Sequence, residues 1–142
     1  MTVFDPENKK RFLLPVRVYY EDTDAGGVVY YANYLRYAER ARSEFLRTIL
    51  GRGEGHLWQK DDPLFVARRL EADYTAPARL DDLLLVSAEV AHIGGASLTM
   101  NQTVTRQGFP LFATKVTLVA VTQAGEVMRL PTLWREKLTA YL

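Results

Sequence analysis

"VRVYYEDTDAGGVVYYANYLRYAERARSEFLR", residues Val16 to Arg47, changes its period midway, and that change decides the fold. The first part belongs to a strand read from Leu14 to Asp22. Leu14, Val16, Val18 and Tyr20 share one face, with Arg17, Tyr19 and Glu21 on the other. The last part is helical, roughly Ala32 to Leu50. There Tyr34, Ala38, Ala41, Phe45 and Ile49 recur as a buried stripe, and Arg36, Glu39, Arg40, Ser43, Glu44 and Arg47 cover the opposite face. Ala38 and Ala41 are small enough for a sheet to approach the helix backbone closely. Between the two elements lies Thr23-Asp24-Ala25-Gly26-Gly27, whose paired glycines allow a sharp turn. Gly51 and Gly53 end the helix.

Further on, Arg52 to Asp62 is a polar connection containing His56 and Trp58. From Pro63 to Thr122 the chain reads as strands. Leu64, Val66, Leu70, Ala72 and Tyr74 alternate, then Leu84, Val86, Ala88 and Val90. Leu98, Met100 and Val104 alternate more weakly, followed by Phe112, Val116, Leu118 and Ala120. The breaks are turn-like: Ala76-Pro77-Ala78-Arg79 with Asp81-Asp82, Gly94-Gly95, and Gly108 before Pro110. Arg68 sits on its strand's apolar phase, where a charge is unexpected. Thr132 to Leu142 reads as a short helix after Pro131. The order strand, long helix, four hairpin-linked strands predicts an α+β fold. A five-stranded antiparallel sheet must wrap the helix to bury its stripe. One domain spans residues 1–142, and an open sheet edge predicts a dimer at least.

Composition narrows the function. With 142 residues, 48% hydrophobic and 25% charged, the chain has the composition of an ordinary globular domain. A net charge of +1 gives no electrostatic footprint for nucleic acid or an anionic membrane. Without cysteine there is no disulfide framework, thiolate nucleophile or cysteine zinc site. No stretch approaches the roughly 20 apolar residues of a membrane span, and a cytoplasmic location is expected.

The motifs exclude more. There is no G-x-S-x-G turn, P-loop or dinucleotide fingerprint. His56 and His92 are far apart and lack metal-ligand spacing, so neither a metal nor a cofactor is expected. Carboxylates remain. Glu21, Asp22 and Asp24 precede the glycines and a helix start, where free N–H groups and the positive dipole end can stabilise an oxyanion. A carboxylate held there can attack a carbonyl or activate water. Taken alone, D-x-D-x-G-G fits a solvated turn with a helix cap better than a catalytic site.

Val16 to Arg47, together with "EADYTAPARLDDLLLV" and "GGASLTMNQTV", resembles the hot-dog-fold acyl-CoA thioesterases of the 4-hydroxybenzoyl-CoA thioesterase type. Within that group the likeness is greatest to the bacterial Tol–Pal-associated acyl-CoA thioesterases. The resemblance implies a curved antiparallel sheet around a central helix. It also implies homodimers, usually paired into homotetramers, with acyl-CoA as substrate. The acid before the Ala-Gly-Gly step is catalytic in this family, which points to Asp24. The helix N-terminal N–H that meets the thioester carbonyl corresponds to Tyr31, and a tyrosine often counted in the site corresponds to Tyr20. Gly27, Tyr30, Asn33 and Tyr74 are the candidate substrate contacts, although Asn33 also suits a helix cap. Tol–Pal-associated members usually carry histidine at the place of Tyr31. The 4-hydroxybenzoyl-CoA enzymes resemble this chain in having tyrosine, and any non-proline residue supplies the backbone N–H.

The reaction so implied is hydrolysis of an acyl-CoA, with Asp24 as nucleophile or general base. An acyl-CoA or acyl-carrier binding protein on the same scaffold is the alternative. A dehydratase ranks behind both, because its usual histidine is missing from the motif.

Overall fold

A computed structural model describes residues 3–51 and 58–142. In chain order the elements are β1 (Val3–Asp5), β2 (Asn8–Arg17), a single 3-10 turn (Tyr20–Asp22), α1 (Asn33–Leu50), β3 (Leu64–Tyr74), β4 (Leu83–Ile93), β5 (Ser97–Arg106), β6 (Phe109–Val121) and α2 (Thr132–Thr139). All strand pairs are antiparallel, in the order β1-β2-β4-β5-β6-β3. The helix α1 lies across β2, β4 and β5, and α2 packs on α1 and β4. This is the expected α+β hot-dog arrangement, with six strands among the described residues instead of five. The extra strand is the short β1, which pairs Val3 with Leu13 and Phe4 with Phe12. Three residues are too few to show a period. Among the described residues, no helix is long and apolar enough to cross a membrane.

The core follows the alternation. Leu84, Val86 and Ala88 of β4, Met100 and Val104 of β5, and Phe112, Val116 and Ala120 of β6 are fully buried. They meet Tyr34, Ala38, Ala41 and Phe45 of α1, joined by Tyr37, Leu46 and Leu50. Burying one such large side chain contributes about 1.5–3 kcal/mol, so the helix is held chiefly by this stripe. The weak alternation of β5 has a cause in Gln102, which takes an interior slot between Met100 and Val104. Its Nε2 donates to the carbonyls of Ala38 (2.8 Å) and Ser87 (3.1 Å), and its Oε1 accepts from Arg42 (2.9 Å). One buried amide therefore ties α1 to β4, with its polar atoms satisfied.

Two strand readings need correction. The first long strand ends at Arg17, not Asp22. Asp22 Oδ2 accepts the Tyr19 N–H at 2.8 Å and folds residues 20–22 into the 3-10 turn. Tyr20 therefore leaves the core face and is 82% exposed. In β3 the phase switches at a bulge between Ala67 and Arg69. Phe65 faces Ala120 before it, whereas Leu70, Ala72 and Tyr74 face Val116, Thr114 and Phe112 after it. Leu64 and Val66 thus lie on the other face from Leu70, and Arg68 is the extra residue of the bulge. Its charge on an apolar phase needs no buried partner.

The polar connection is described only in part. His56 and Gly53 lie outside the described residues. Trp58 Nε1–H donates to the Pro63 carbonyl at 3.0 Å. Gly51 closes α1, its N–H donating to the Arg47 carbonyl at 2.8 Å.

Candidate active site

The loop after the 3-10 turn is built around Asp24. The Asp24 N–H donates to the Val28 carbonyl (2.8 Å), and the Gly27 N–H donates to the Asp24 carbonyl (3.0 Å). Gly27 has φ +78°, in the left-handed region where a side chain is strained. The Gly26 N–H donates to Asp24 Oδ1 at 2.8 Å. A Cβ on Gly26 would lie 3.2 Å from that same oxygen, so this position leaves little room for a side chain. The carboxylate is thus oriented by one backbone donor. Its second oxygen has no protein partner among the described residues, and Asp24 is exposed.

The chain returns to the sheet through Val29, whose N–H donates to the Ala78 carbonyl at 2.8 Å, and through a bridge between Val28 and Arg79. The Tyr30 N–H and the Asn33 side-chain amide both donate to the Asp22 carbonyl, each at 2.9 Å. Asn33 therefore does not cap the helix. The cap position is Ala32, with no side-chain bond, and Asn33 ties the first turn of α1 to the turn before Asp24. The 75–82 loop braces this assembly. The Ala78 N–H donates to the Tyr34 hydroxyl (2.9 Å), and Asp82 Oδ2 accepts from the Arg79 N–H (2.8 Å) and from Arg106 (2.6 Å). Burial alone would raise the Asp82 carboxyl, but the Arg79 N–H and the Arg106 guanidinium outweigh it and hold the group below its ordinary value.

At the helix start, the N–H groups of Tyr31 and Ala32 donate to no acceptor among the described residues. The Tyr31 carbonyl accepts from the Tyr74 hydroxyl at 2.8 Å. Around this bond the aromatic rings form a cluster. Tyr30 lies 4.8 Å from Tyr31, Tyr74 lies 5.5 Å from Tyr34 and 4.9 Å from Phe112, and Tyr34 stacks on Phe112 at 5.2 Å. The hydroxyls of Tyr30, Tyr34 and Tyr74 stay protonated. The Tyr31 hydroxyl raises that of Tyr30, and burial raises those of Tyr34 and Tyr74. Deeper in, burial and then the Asp22 carboxylate push the Tyr37 hydroxyl up, although it makes no hydrogen bond of normal geometry.

Asp24, Tyr30, Ala32 and Asn33 line one cleft of about 380 Å³, together with Glu21 and Arg36. Tyr31 and Tyr74 adjoin it through Tyr30. Gly27 shapes the loop beneath, and Tyr20 projects into solvent outside the cleft lining. Glu21 and Arg36 bring opposite charges to the cleft wall; Glu21 was among the carboxylates singled out in the sequence, whereas Arg36 was legible only as a polar surface position of α1. A larger cleft, about 730 Å³, runs between β2 and the flank of α1 and includes Arg17, Arg40 and Glu44 but not Asp24. Size does not make it the reaction site, because no free backbone donor of the helix start lines it. His92 lies exposed on β4, and the described residues hold no group of three or more acids and histidines suited to a metal. A free carboxylate oxygen beside a helix start with unpaired N–H groups is an arrangement suited to acyl transfer to water.

Residues 26–111 match the thioesterase superfamily. An acyl-CoA thioesterase YbgC from Haemophilus influenzae is 46% identical over 110 residues, 78% of this chain and 80% of that protein. An acyl-CoA thioesterase YbgC from Helicobacter pylori is 33% identical over 134 residues, covering 87% and 97%. Among solved structures, a probable thioesterase from Bartonella henselae superposes with a TM-score of 0.74 at 34% identity, over 84% of this chain and 98% of that one. A thioesterase from Thermus thermophilus, complexed with coenzyme A and Zn, superposes with a TM-score of 0.77 at 31% identity, over 91% and 92%. The extent of the match, and the agreement of fold and sequence across it, place this chain in the thioesterase superfamily.

Proposed function

We propose that the protein hydrolyses acyl-CoA thioesters to the free acid and coenzyme A, with Asp24 as the catalytic carboxylate. The carrying observation is the Asp24 carboxylate in a cleft built on the first turn of α1. The thioester oxygen accepts a hydrogen bond from the free Tyr31 N–H, which stabilises the oxyanion as the carbonyl is attacked. Asp24 either attacks the carbonyl carbon or takes a proton from an attacking water. In the first route the C–S bond breaks to give a mixed anhydride, which water then hydrolyses. In the second, the tetrahedral adduct collapses directly. In both, coenzyme A leaves as a thiolate, so no strong acid is required. Gly27, Tyr30, Asn33 and Tyr74 contact the substrate, and Tyr20 is assigned to the site by the family resemblance alone. The similarity to acyl-CoA thioesterases supports this reading, and we place the enzyme in the 4-hydroxybenzoyl-CoA-like, Tol–Pal-associated group. The cysteine-free chain suits the cytoplasm.

The working form on this reading is a homodimer, paired into a tetramer. The supporting feature is β3, an eleven-residue edge strand outside the cover of α1, with Val66, Leu70 and Tyr74 exposed. Such an edge is normally covered or paired. Leu83 and Leu85, exposed on the outer face, offer dimers a second surface.

The test is thiol release from acetyl-, octanoyl- and benzoyl-CoA by wild type and Asp24→Asn. Asparagine keeps the acceptor for Gly26 N–H, so the loop survives while turnover falls at least about 100-fold. Near-normal turnover in the variant would remove Asp24 from the mechanism. Tight binding of acyl-CoA without thiol release by wild type would favour a binding protein.

A further inference from the structure

We infer that Tyr74 is a positioning residue for the oxyanion donor, acting through the carbonyl of Tyr31. The inference rests on the hydrolytic reading above. Its basis is an unusual division of labour within one residue. Tyr31 sits just before α1; among the described residues its N–H has no acceptor and its carbonyl takes no backbone hydrogen bond. The first helical bonds bypass that carbonyl: Asn33 N–H goes to Tyr30 and Leu35 N–H goes to Ala32. Among the described residues its hydrogen bond comes from Tyr74 Oη alone, at 2.8 Å. The hydroxyl arrives from the last residue of β3, a different element from the loop and helix that otherwise hold Tyr31.

Two consequences follow for catalysis. Holding the carbonyl fixes the plane of the Tyr31–Ala32 peptide and the direction of the Ala32 N–H within it, and it restricts ψ of Tyr31, one of the two rotations that separate this plane from the Tyr31 N–H. Accepting a hydrogen bond also polarises the Tyr31–Ala32 peptide group, which strengthens the neighbouring Ala32 N–H as a second donor. The brace is itself rigid. The Tyr74 ring is wedged edge-on against Tyr34 (5.5 Å) and tilted against Phe112 (4.9 Å), both of which are buried. Burial, with Tyr31 and Tyr34 nearby, raises the Tyr74 hydroxyl, so it remains a donor throughout the neutral range. The exposed part of the ring is still free to touch substrate, but the hydroxyl is committed to the backbone.

The discriminating variant is Tyr74→Phe, which keeps the ring and removes only the donor. Steady-state kinetics use whichever of acetyl-, octanoyl- or benzoyl-CoA wild type turns over fastest. The ketone analogue of benzoyl-CoA, with CH₂ in place of sulfur, reports on the donor by its infrared carbonyl frequency. The expected result is a kcat about tenfold lower, a fraction of the 10²–10³ lost with a whole oxyanion donor. KM and the affinity for the analogue stay within about twofold. The analogue's carbonyl band moves back toward its frequency in water. Phe112→Leu, which loosens the cluster but leaves the hydroxyl, shifts the band less than Tyr74→Phe does. An unchanged kcat and band in Tyr74→Phe would overturn the inference. So would a raised KM at unchanged kcat, which would make the hydroxyl a substrate contact. If wild type releases no thiol from any of the three substrates, the hydrolytic reading fails and this inference fails with it. An active wild type and an unaffected variant sink this inference alone.

Discussion

The side-chain amide of Asn33 donates to the carbonyl of Asp22 across 2.9 Å, so the first residue of α1 is tied directly to the turn that delivers Asp24. Because Tyr30 N–H reaches the same carbonyl, loop and helix share one acceptor. Replacing Asn33 by Ala removes a nearly buried bond and costs about 1–2 kcal/mol. Chemical denaturation should register that loss. Thiol release should fall more than stability predicts, because the helix start is no longer locked to the catalytic loop. Asn33→Ala with full activity and lowered stability would limit the tie to folding.

The two glycines of the loop predict opposite phenotypes. Gly27 has φ +78°, so Gly27→Ala strains the backbone by about 1–2 kcal/mol and lowers the melting temperature. Gly26 is constrained by a neighbour instead. In Gly26→Ala the new Cβ crowds Asp24 Oδ1 from 3.2 Å, so the carboxylate must shift. Activity then falls several-fold with little change in melting temperature. Calorimetry and thiol release on both variants check the contrast.

The Asp82 carboxyl lies below its ordinary value, so its contribution to stability has a definite pH dependence. A depressed folded-state value means that the stabilisation is present above the unfolded value, 3.8, and disappears as pH falls through the folded one. Asp82→Asn should lower the melting temperature at pH 7 by about 2–4 °C, a modest amount because the pair with Arg106 is partly solvated. The difference from wild type should shrink below pH 3.8. A gap that persists to lower pH would mean that the amide disrupts packing instead of removing charge.

Leu70 lies on the core side of β3 yet is 40% exposed, because α1 does not extend over that end of the sheet. On the dimer reading, Leu70→Lys places a charge where the subunits meet. Sedimentation should show monomer, and thiol release should fall with it. An unchanged oligomer would move the interface away from β3.

How much of this was legible depended on length and repetition. The stripe of α1 and the alternation of β4 and β6 run for several periods, and these elements fall where the sequence puts them. What escaped were single-residue events. One aspartate, Asp22, turns the chain and exposes Tyr20. One extra residue, Arg68, shifts the phase of β3. One glutamine, Gln102, occupies a core slot by satisfying its own amide. A period averages over several residues and is blind to each of these. Within the site, Asp24 and its glycines were legible as a motif. The roles of Asn33, Tyr34 and Tyr74 depend on partners 11, 44 and 43 residues away and had no local signature.

The strand order also sets when the sheet can be finished during synthesis. β3 is the next described element after α1, but among the described residues it pairs only with β6, the last strand. Until β6 emerges from the ribosome, β3 carries unsatisfied backbone groups and has nowhere to dock. Each earlier strand can pair as soon as its hairpin neighbour appears, whereas this one waits. The chain therefore passes through a nascent stage in which its most exposed edge has no partner within the molecule. Such a stage is the point of greatest exposure to aggregation, and the place where a chaperone would be of most use.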